Sequence, residues 1–236
     1  MSKDQFVHEL NELLCKHNPS NHSFFRNLET ANTKLVRSNK FLEELYNRYQ
    51  SAMHATRVMI YYLPYLDPIE LRMIKARIIS EDDNLPNGDS HHFQLRRTWA
   101  YMLQREPFIR DAEFGALSLL ESRLDQNTSQ FVKVIRICYP NSLGAWTVVE
   151  GLAHEWIGAL SKGLTPHFPR IGESDYFREN YKSKIELQHA ATAIKTTINI
   201  IEQYPSLVEE TIRDANLCAN ALDYLWDGFD DLLCSS

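Results

Sequence analysis

The stretch SLGAWTVVEGLAHEWIGALSKG, residues 142–163, is a long run of mostly apolar residues. Its apolar residues recur at the three- and four-residue spacing of a helix. They cover most of the helix circumference, which is typical of a helix inside a protein. Gly163 suits the C′ position, at which many helices end. The stretch therefore predicts a long, largely apolar helix.

Apolar residues recur at helical spacing along almost the whole chain. Only 8 glycines and 9 prolines occur in 236 residues, which is few for a chain built from strands and tight turns. The stretch FVKVIRICY (131–139) suits a strand or a helix, and we assign it as a helix because no partner strand is evident. The sequence thus predicts an all-α bundle of about seven to eight helices in a single domain, residues 1–236.

Start and stop signals set the expected boundaries of these helices. Ser38 caps a long helix that runs to about Leu63, before a proline. The run Asp67-Pro68-Ile69-Glu70 predicts the start of a helix. Asp67 is the N-cap, Pro68 takes the first helical position, and Glu70 is the acid of a capping box. Ser174 caps a helix expected to be continuous to about residue 204. Further helices are expected at about 3–16, 21–28, 91–104, 108–124 and 205–233.

Composition and charge exclude several classes of function. The formal net charge of -6 argues against nucleic acid or an anionic membrane as the partner. The 4 cysteines are scattered without a CxxC pair, and the N-terminus lacks a signal-peptide pattern, which together predict reduced thiols and a cytoplasmic location. No pattern for binding haem, flavin or a nucleotide is present.

Ionisable residues inside apolar helices are the candidates for a site, because a helical bundle builds its site from inward-pointing side chains. Glu150 has apolar neighbours, and burying an unpaired carboxylate is costly. It lies either on an exposed strip, or beside His154 one turn on, or in a site. Glu186 and His189 form a Glu-x-x-His motif, the spacing with which di-metal bundles supply a carboxylate and an imidazole. That motif is also frequent by chance.

The stretch SEDDNLPNGDSHHFQL (80–95) joins two predicted helices through a turn. Its acidic residues end one helix, and His91 and His92 open the next. By itself the stretch suits a polar connection in which Asp89 or Ser90 caps the second helix. Considered together with Glu150 and the Glu-x-x-His motif, the stretch is a candidate for the third part of one site that faces the interior of the bundle.

The order of these features resembles the haem-oxygenase-like helical superfamily, in particular the branch that contains TenA, PqqC and the chlamydial death-domain-associating protein. The resemblance extends from about His22 to Leu233 and implies a haem-oxygenase-like bundle and, by analogy, a homodimer. The stretches that carry it are NHSFFRNL, EDDN with HFQLRRTWAYML, SLGAWTVVEGLAHEWIGALSKGLTPHF, SDYFRENYKSKIELQHA and LDYLWDGFDDLL.

In the metal-dependent members of this branch, carboxylates and histidines from three helices hold two irons, or iron and manganese. The resemblance places the first acid at Asp82, with Glu81 or Asp83 as alternatives. It prefers His92 to His91, because His92-x-x-Leu95 keeps the family register. Tyr181 is a candidate relay for an electron or a proton. The implied metal ligands are Asp82, His92, Glu150, Glu186 and His189.

The chain departs from the family pattern at one ligand. The family has a further histidine about two turns before His189, whereas Asn180, Tyr181 and Lys182 stand here. A protonated lysine cannot bind a metal ion. A dinuclear site, a single-metal site, an altered site and a metal-free pocket are therefore all compatible with the sequence.

Three functions follow from the resemblance. The first is a metal-dependent oxidase or oxygenase that uses non-haem iron or manganese on a small organic substrate. The second is a metal-free pocket enzyme of the TenA and PqqC kind, in which Glu150 with a raised pKa acts as acid or base. The third is a non-catalytic ligand-binding or interaction protein. The expected partner is a small-molecule substrate or ligand.

Overall fold

The fold is that of a computed structural model of the chain, which describes residues 2–57, 59–66, 68–82, 90–104 and 124–235. Within these ranges every regular element is a helix, which confirms the all-α prediction. Of the stretch 131–139, residues 131–138 lie in a helix and Tyr139 directly follows it, in agreement with the assignment from the sequence. The helix predicted at 108–124 lies almost entirely outside the described residues.

The described part of the chain contains slightly more helical segments than the seven or eight expected, because several are single turns. In chain order they are α1 (Lys3–Lys16), α2 (Ser23–Thr30), α3 (Thr33–Val36), α4 (Asn39–Thr56), α5 (Met59–Tyr62), α6 (Ile69–Asp82), α7 (His91–Leu103), α8 (Gln126–Cys138), α9 (Leu143–Leu164), α10 (Asp175–Phe177), α11 (Ile185–Gln203) and α12 (Val208–Ser235).

The helix α9 lies at the centre of the bundle. It packs against α11 and α12, and α8 packs against α12 and α4. One hydrophobic cluster extends from Leu13 to Leu233 and contains most of the apolar residues of α9. Although α9 is largely apolar, neither it nor any other described helix is long and apolar enough to cross a membrane.

Gly144 allows α9 and α12 to approach each other closely. A Cβ atom at this position would lie 1.9 Å from the backbone oxygen of Thr211 and 2.7 Å from the backbone nitrogen of Ala215. Both atoms belong to the main chain of α12, so no side-chain rotation could relieve the clash. Glycine is therefore required at the start of α9.

Two buried threonines fix α9 relative to α11. The hydroxyl groups of Thr147 and Thr197 lie 2.6 Å apart, and neither side chain is exposed. The Thr147 hydroxyl has one hydrogen and donates it to the Leu143 carbonyl oxygen, 2.8 Å away. In this arrangement the Thr197 hydroxyl donates to the Thr147 oxygen. This contact lies one helical turn before Glu150 and sets the register between the two helices that meet at the site.

Two helix ends differ from those expected. Ser38 caps α4 as predicted, but the helix ends at Thr56 and not near residue 63; the proline at 64 lies in the separate 3₁₀ turn Leu63–Tyr65. Gly163 lies inside α9, which ends at Leu164. Its missing Cβ accommodates Leu28, whose Cδ2 would be 2.9 Å from a Cβ atom there.

The helix expected to be continuous from residue 175 to 204 is interrupted. A short helix, α10, leads into the π-helical turn Arg178–Lys182. Lys184 then adopts a left-handed conformation with φ of 64°, which a continuous right-handed helix cannot contain. As a result α11 begins at Ile185, and Glu186 lies in its first turn.

Candidate metal centre

Glu150, Glu186 and His189 lie together in the interior of the bundle. Glu150 is near the middle of α9, and the other two residues are close to the start of α11. Each offers one ligand atom, and the three atoms lie within 4.8 Å of one another. The side chains are almost fully buried, with 5%, 5% and 1% of the residue surface exposed. Two carboxylates and an imidazole in this arrangement can hold a metal ion.

The three-residue spacing of Glu186 and His189 brings their side chains to the same face of α11. His189 Nδ1 lies 3.6 Å from Glu186 Oε2. The first turn of a helix favours a carboxylate because the backbone N–H groups there leave a partial positive charge. The break at Lys184 is therefore what puts Glu186 in an electrostatically favourable position.

Tyr139 orients the Glu150 carboxylate. It follows α8 directly, and its hydroxyl donates to Glu150 Oε1 over 2.6 Å. Glu150 is thus neither on an exposed strip nor bonded to His154, the two alternatives that the sequence left open. The His154 ring instead packs against Tyr181, with ring centroids 4.6 Å apart.

The environment of Glu150 disfavours its charged form when no cation is present. Burial raises the pKa of this carboxyl to about 7, while the hydrogen bond from Tyr139 lowers it. The nearby Glu186 carboxylate raises the pKa as well, and His189 and Lys75 lower it. A metal ion bound here would compensate the negative charge and displace the proton.

Lys75 is a second buried charged group close to this centre. It extends from α6, none of its surface is exposed, and its Nζ donates to the Pro140 carbonyl oxygen over 3.2 Å. The ammonium group also lies 5.2 Å from the centre of the Trp146 ring and 5.9 Å from that of Tyr139. Burial lowers the pKa of Lys75 to about 7, although the Glu150 carboxylate raises it.

The histidine that approaches the centre is His91. Its Nδ1 lies 3.7 Å from Glu186 Oε1. His92, which the family register favours, packs against His54 with ring centroids 4.4 Å apart. The helix α6 ends at Asp82. The side chains of Asp82 and its alternative Glu81 lie outside the described part of the structure, as does the whole of Asp83.

The three residues that stand where the resemblance implies a histidine, 180–182, do not join the group of Glu150, Glu186 and His189. Asn180 is fully buried and donates to Gln94 and to the Tyr176 carbonyl oxygen. Lys182 forms an ion pair with Glu173. Tyr181 is 36% exposed, packs on Gly158 and His154, and is not among the described residues that line the cavity beside Glu150 and Glu186. Tyr139 instead contacts the Glu150 carboxylate.

Two adjacent cavities, here called the inner and the outer chamber, lie beside the centre and have four lining residues in common. The inner chamber has a volume of about 70 Å³ and is bounded by Glu150 and Glu186 and by apolar residues that include Ala52, Ala153, Trp156 and Trp226. The outer chamber, also about 70 Å³, reaches the surface near Ile60 and is bounded by residues that include His54, Arg57 and His92. The residues shared by both walls are Met53, Thr56, His91 and Tyr139.

Sequence reasoning missed Tyr139, Lys75 and the preference for His91. Tyr139 ends an apolar stretch that reads equally as a strand, so nothing local marks it as a partner of Glu150. Lys75 is one of several charged residues in a helix whose sequence is not strongly amphipathic. A lysine four residues after Leu71, at the spacing of one helical face, is a weak signal that could have pointed to its burial.

Comparisons with known proteins do not identify the chain. No protein-family model matches it, and no curated protein is significantly similar.

Proposed function

We propose that this protein is a metal-dependent oxidase or oxygenase that uses non-haem iron, or iron and manganese, on a small organic substrate. The observation that carries the proposal is the buried group of Glu150, Glu186 and His189 beside an apolar chamber. Carboxylate and imidazole ligands with open positions are typical of such iron centres. Iron bound there would supply one-electron chemistry with dioxygen.

The chain's own residues would prepare the site in three ways. Tyr139 holds Glu150 in one orientation through its hydroxyl group. His91 Nδ1 lies 3.7 Å from Glu186 Oε1, and His91 would be a further ligand. The apolar wall of the inner chamber excludes water from the reacting atoms. Three ligands suffice for one metal ion, which favours a single-metal or altered site where the family histidine is missing.

The proposal predicts iron-dependent oxygen uptake. Metal-free protein reconstituted with Fe(II) under anaerobic conditions should bind iron and consume dioxygen when air and a reductant are added. Replacing both Glu186 and His189 by glutamine should weaken iron binding by about 100-fold or more, because loss of an outer partner alone costs about 10–100-fold. Bound iron is measured by elemental analysis and oxygen uptake with an electrode.

A matched control separates the site from the helix that carries it. Glu202→Gln changes an exposed glutamate on α11 that pairs with Lys3, and should leave iron binding and oxygen uptake unchanged. Equal, negligible iron in the wild type and in the double variant would contradict the proposal.

A second candidate function is a metal-free enzyme that uses Glu150 as acid or base. The raised pKa of about 7 favours it, because a group with such a pKa exchanges protons efficiently near neutral pH. This alternative predicts turnover of a substrate by protein treated with a chelator, with loss of activity in Glu150→Gln. The metal-dependent proposal predicts that the chelator removes the activity.

A further inference from the structure

The charged side chains that line the inner chamber are acidic. Among the described residues that line it, the negative charge comes from Glu150 and Glu186, and no lysine or arginine is present. An anionic group deep in the chamber would therefore meet carboxylates without a compensating cation, unless a metal ion is bound. The remaining wall is mostly apolar and aromatic, which favours a largely apolar ligand.

Two tryptophans with buried indole N–H groups line this chamber. Trp226 is 2% exposed and Trp156 is 7% exposed, and both line the cavity. In the described part of the chain neither Nε1 has a hydrogen-bond partner; the Trp156 nitrogen is near the Tyr49 hydroxyl but outside hydrogen-bond geometry. A buried donor without a partner is costly, and a ligand with an acceptor atom would remove that cost.

The size of the chambers limits what can bind. A cavity needs roughly 10–15 Å³ for each water-sized occupant, so each chamber of about 70 Å³ has room for about five to seven non-hydrogen atoms. Two small side chains, Ala52 on α4 and Ala153 on α9, lie on the wall of the inner chamber. A larger side chain at either position would fill the space that a ligand needs.

We propose that the inner chamber binds a small, uncharged, largely apolar molecule with a hydrogen-bond acceptor, which receives the N–H groups of Trp226 and Trp156. The molecule enters through the outer chamber, past Thr56 and His91. The identification of this molecule as the substrate rests on the proposed function. The binding of the molecule does not rest on it, because none of the contacts involves a metal ion.

Isosteric probes test the acceptor. Cyclopentanone and methylenecyclopentane have the same number of non-hydrogen atoms, few enough for one chamber, and differ in a carbonyl oxygen in place of a methylene group. Calorimetric titration of metal-free protein should show that cyclopentanone binds at least about fivefold more tightly, the effect of one neutral hydrogen bond. Isobutyrate, similar in size but anionic, should not bind to the metal-free protein.

Substitutions in the wall locate the binding. Trp226→Phe, and separately Trp156→Phe, should reduce the preference for cyclopentanone over methylenecyclopentane. Trp146→Phe should not, because the Trp146 N–H is also buried without a partner among the described residues but this residue does not line the chamber. Ala153→Leu and Ala52→Leu should each weaken cyclopentanone binding by about tenfold or more. Ala191→Leu, at an exposed alanine on α11, is the matched control. Circular dichroism checks that each variant folds.

Equal affinity for cyclopentanone and methylenecyclopentane would overturn the proposed hydrogen bond to the ligand, and binding that survives both alanine substitutions would overturn the proposed location. Failure of cyclopentanone and methylenecyclopentane to bind would overturn the whole inference. Bound iron, measured separately, reports on the proposed function. Protein that binds cyclopentanone but no metal refutes the oxidase and keeps the chamber, and protein that binds iron but neither of these two probes does the reverse.

Discussion

Replacing Gly144 by alanine is expected to destabilise the protein by about 3 kcal/mol or more, at the upper end of the cost of overpacking a core. The added Cβ would lie 1.9 Å from the Thr211 carbonyl oxygen and 2.7 Å from the Ala215 nitrogen. Both are backbone atoms of α12, so the clash can be relieved only if the whole helix moves away from α9. The free energy of unfolding in urea, measured for the wild type and the variant, gives the effect.

Gly151 provides the control on the same helix. A Cβ atom at this position would meet Leu14 side-chain carbons at 3.4 Å, an ordinary contact. Since alanine favours a helix over glycine by about 0.5–1 kcal/mol, Gly151→Ala should be neutral or slightly stabilising. Equal stability of the two variants would contradict the close approach of α9 and α12 at Gly144.

The second large effect concerns the buried Lys75. Burial lowers its pKa in the folded protein to about 7 from 10.5, so between these values the unfolded chain binds a proton that the folded protein has released. Stability rises with pH wherever the unfolded state binds more protons. Relative to Lys75→Met, the wild type should therefore gain up to about 1.4 kcal/mol of unfolding free energy per pH unit between about pH 7 and 10.

Urea unfolding of both proteins at pH 7, 8 and 9 measures this difference. Below about pH 7 Lys75 is protonated in both states, so the difference should become constant there. An exposed lysine on α11, replaced in Lys195→Met, should give a pH profile parallel to that of the wild type, because its ammonium group is in water in either state. A parallel profile for Lys75→Met as well would show that the buried amine keeps its proton.

Much of the fold could be predicted because helix periodicity is a local property. The apolar pattern of residues 142–163 and the cap at Ser38 are both found in the structure. The break between α10 and α11 could not be predicted, since the stretch has continuous helical periodicity and neither glycine nor proline marks Lys184. Gly163 was misplaced because its role is to make room for Leu28, a residue far away in the chain.

The candidate site could likewise be predicted only in part. Glu150 and the Glu186 and His189 pair stand out as ionisable residues in apolar helices, and the structure brings them within 4.8 Å. Partners from other helices are not encoded locally. Whether His91 or His92 turns inward depends on the rotation of α7, and the contact between Tyr139 and Glu150 depends on how α8 joins α9. The role of Tyr181 stays a prediction, and its ring lies against Gly158 and His154.

In the proposed function Glu150, Glu186 and His189 bind a metal ion. Anomalous X-ray scattering tests this binding, with data collected at the iron and manganese absorption edges from crystals of protein loaded with Fe(II) and Mn(II). A bound ion is expected to give an anomalous peak at about 2.0–2.3 Å from a ligand atom of each of the three residues. Crystals without a peak at this position, from protein in which the three side chains are ordered, would contradict the proposed binding.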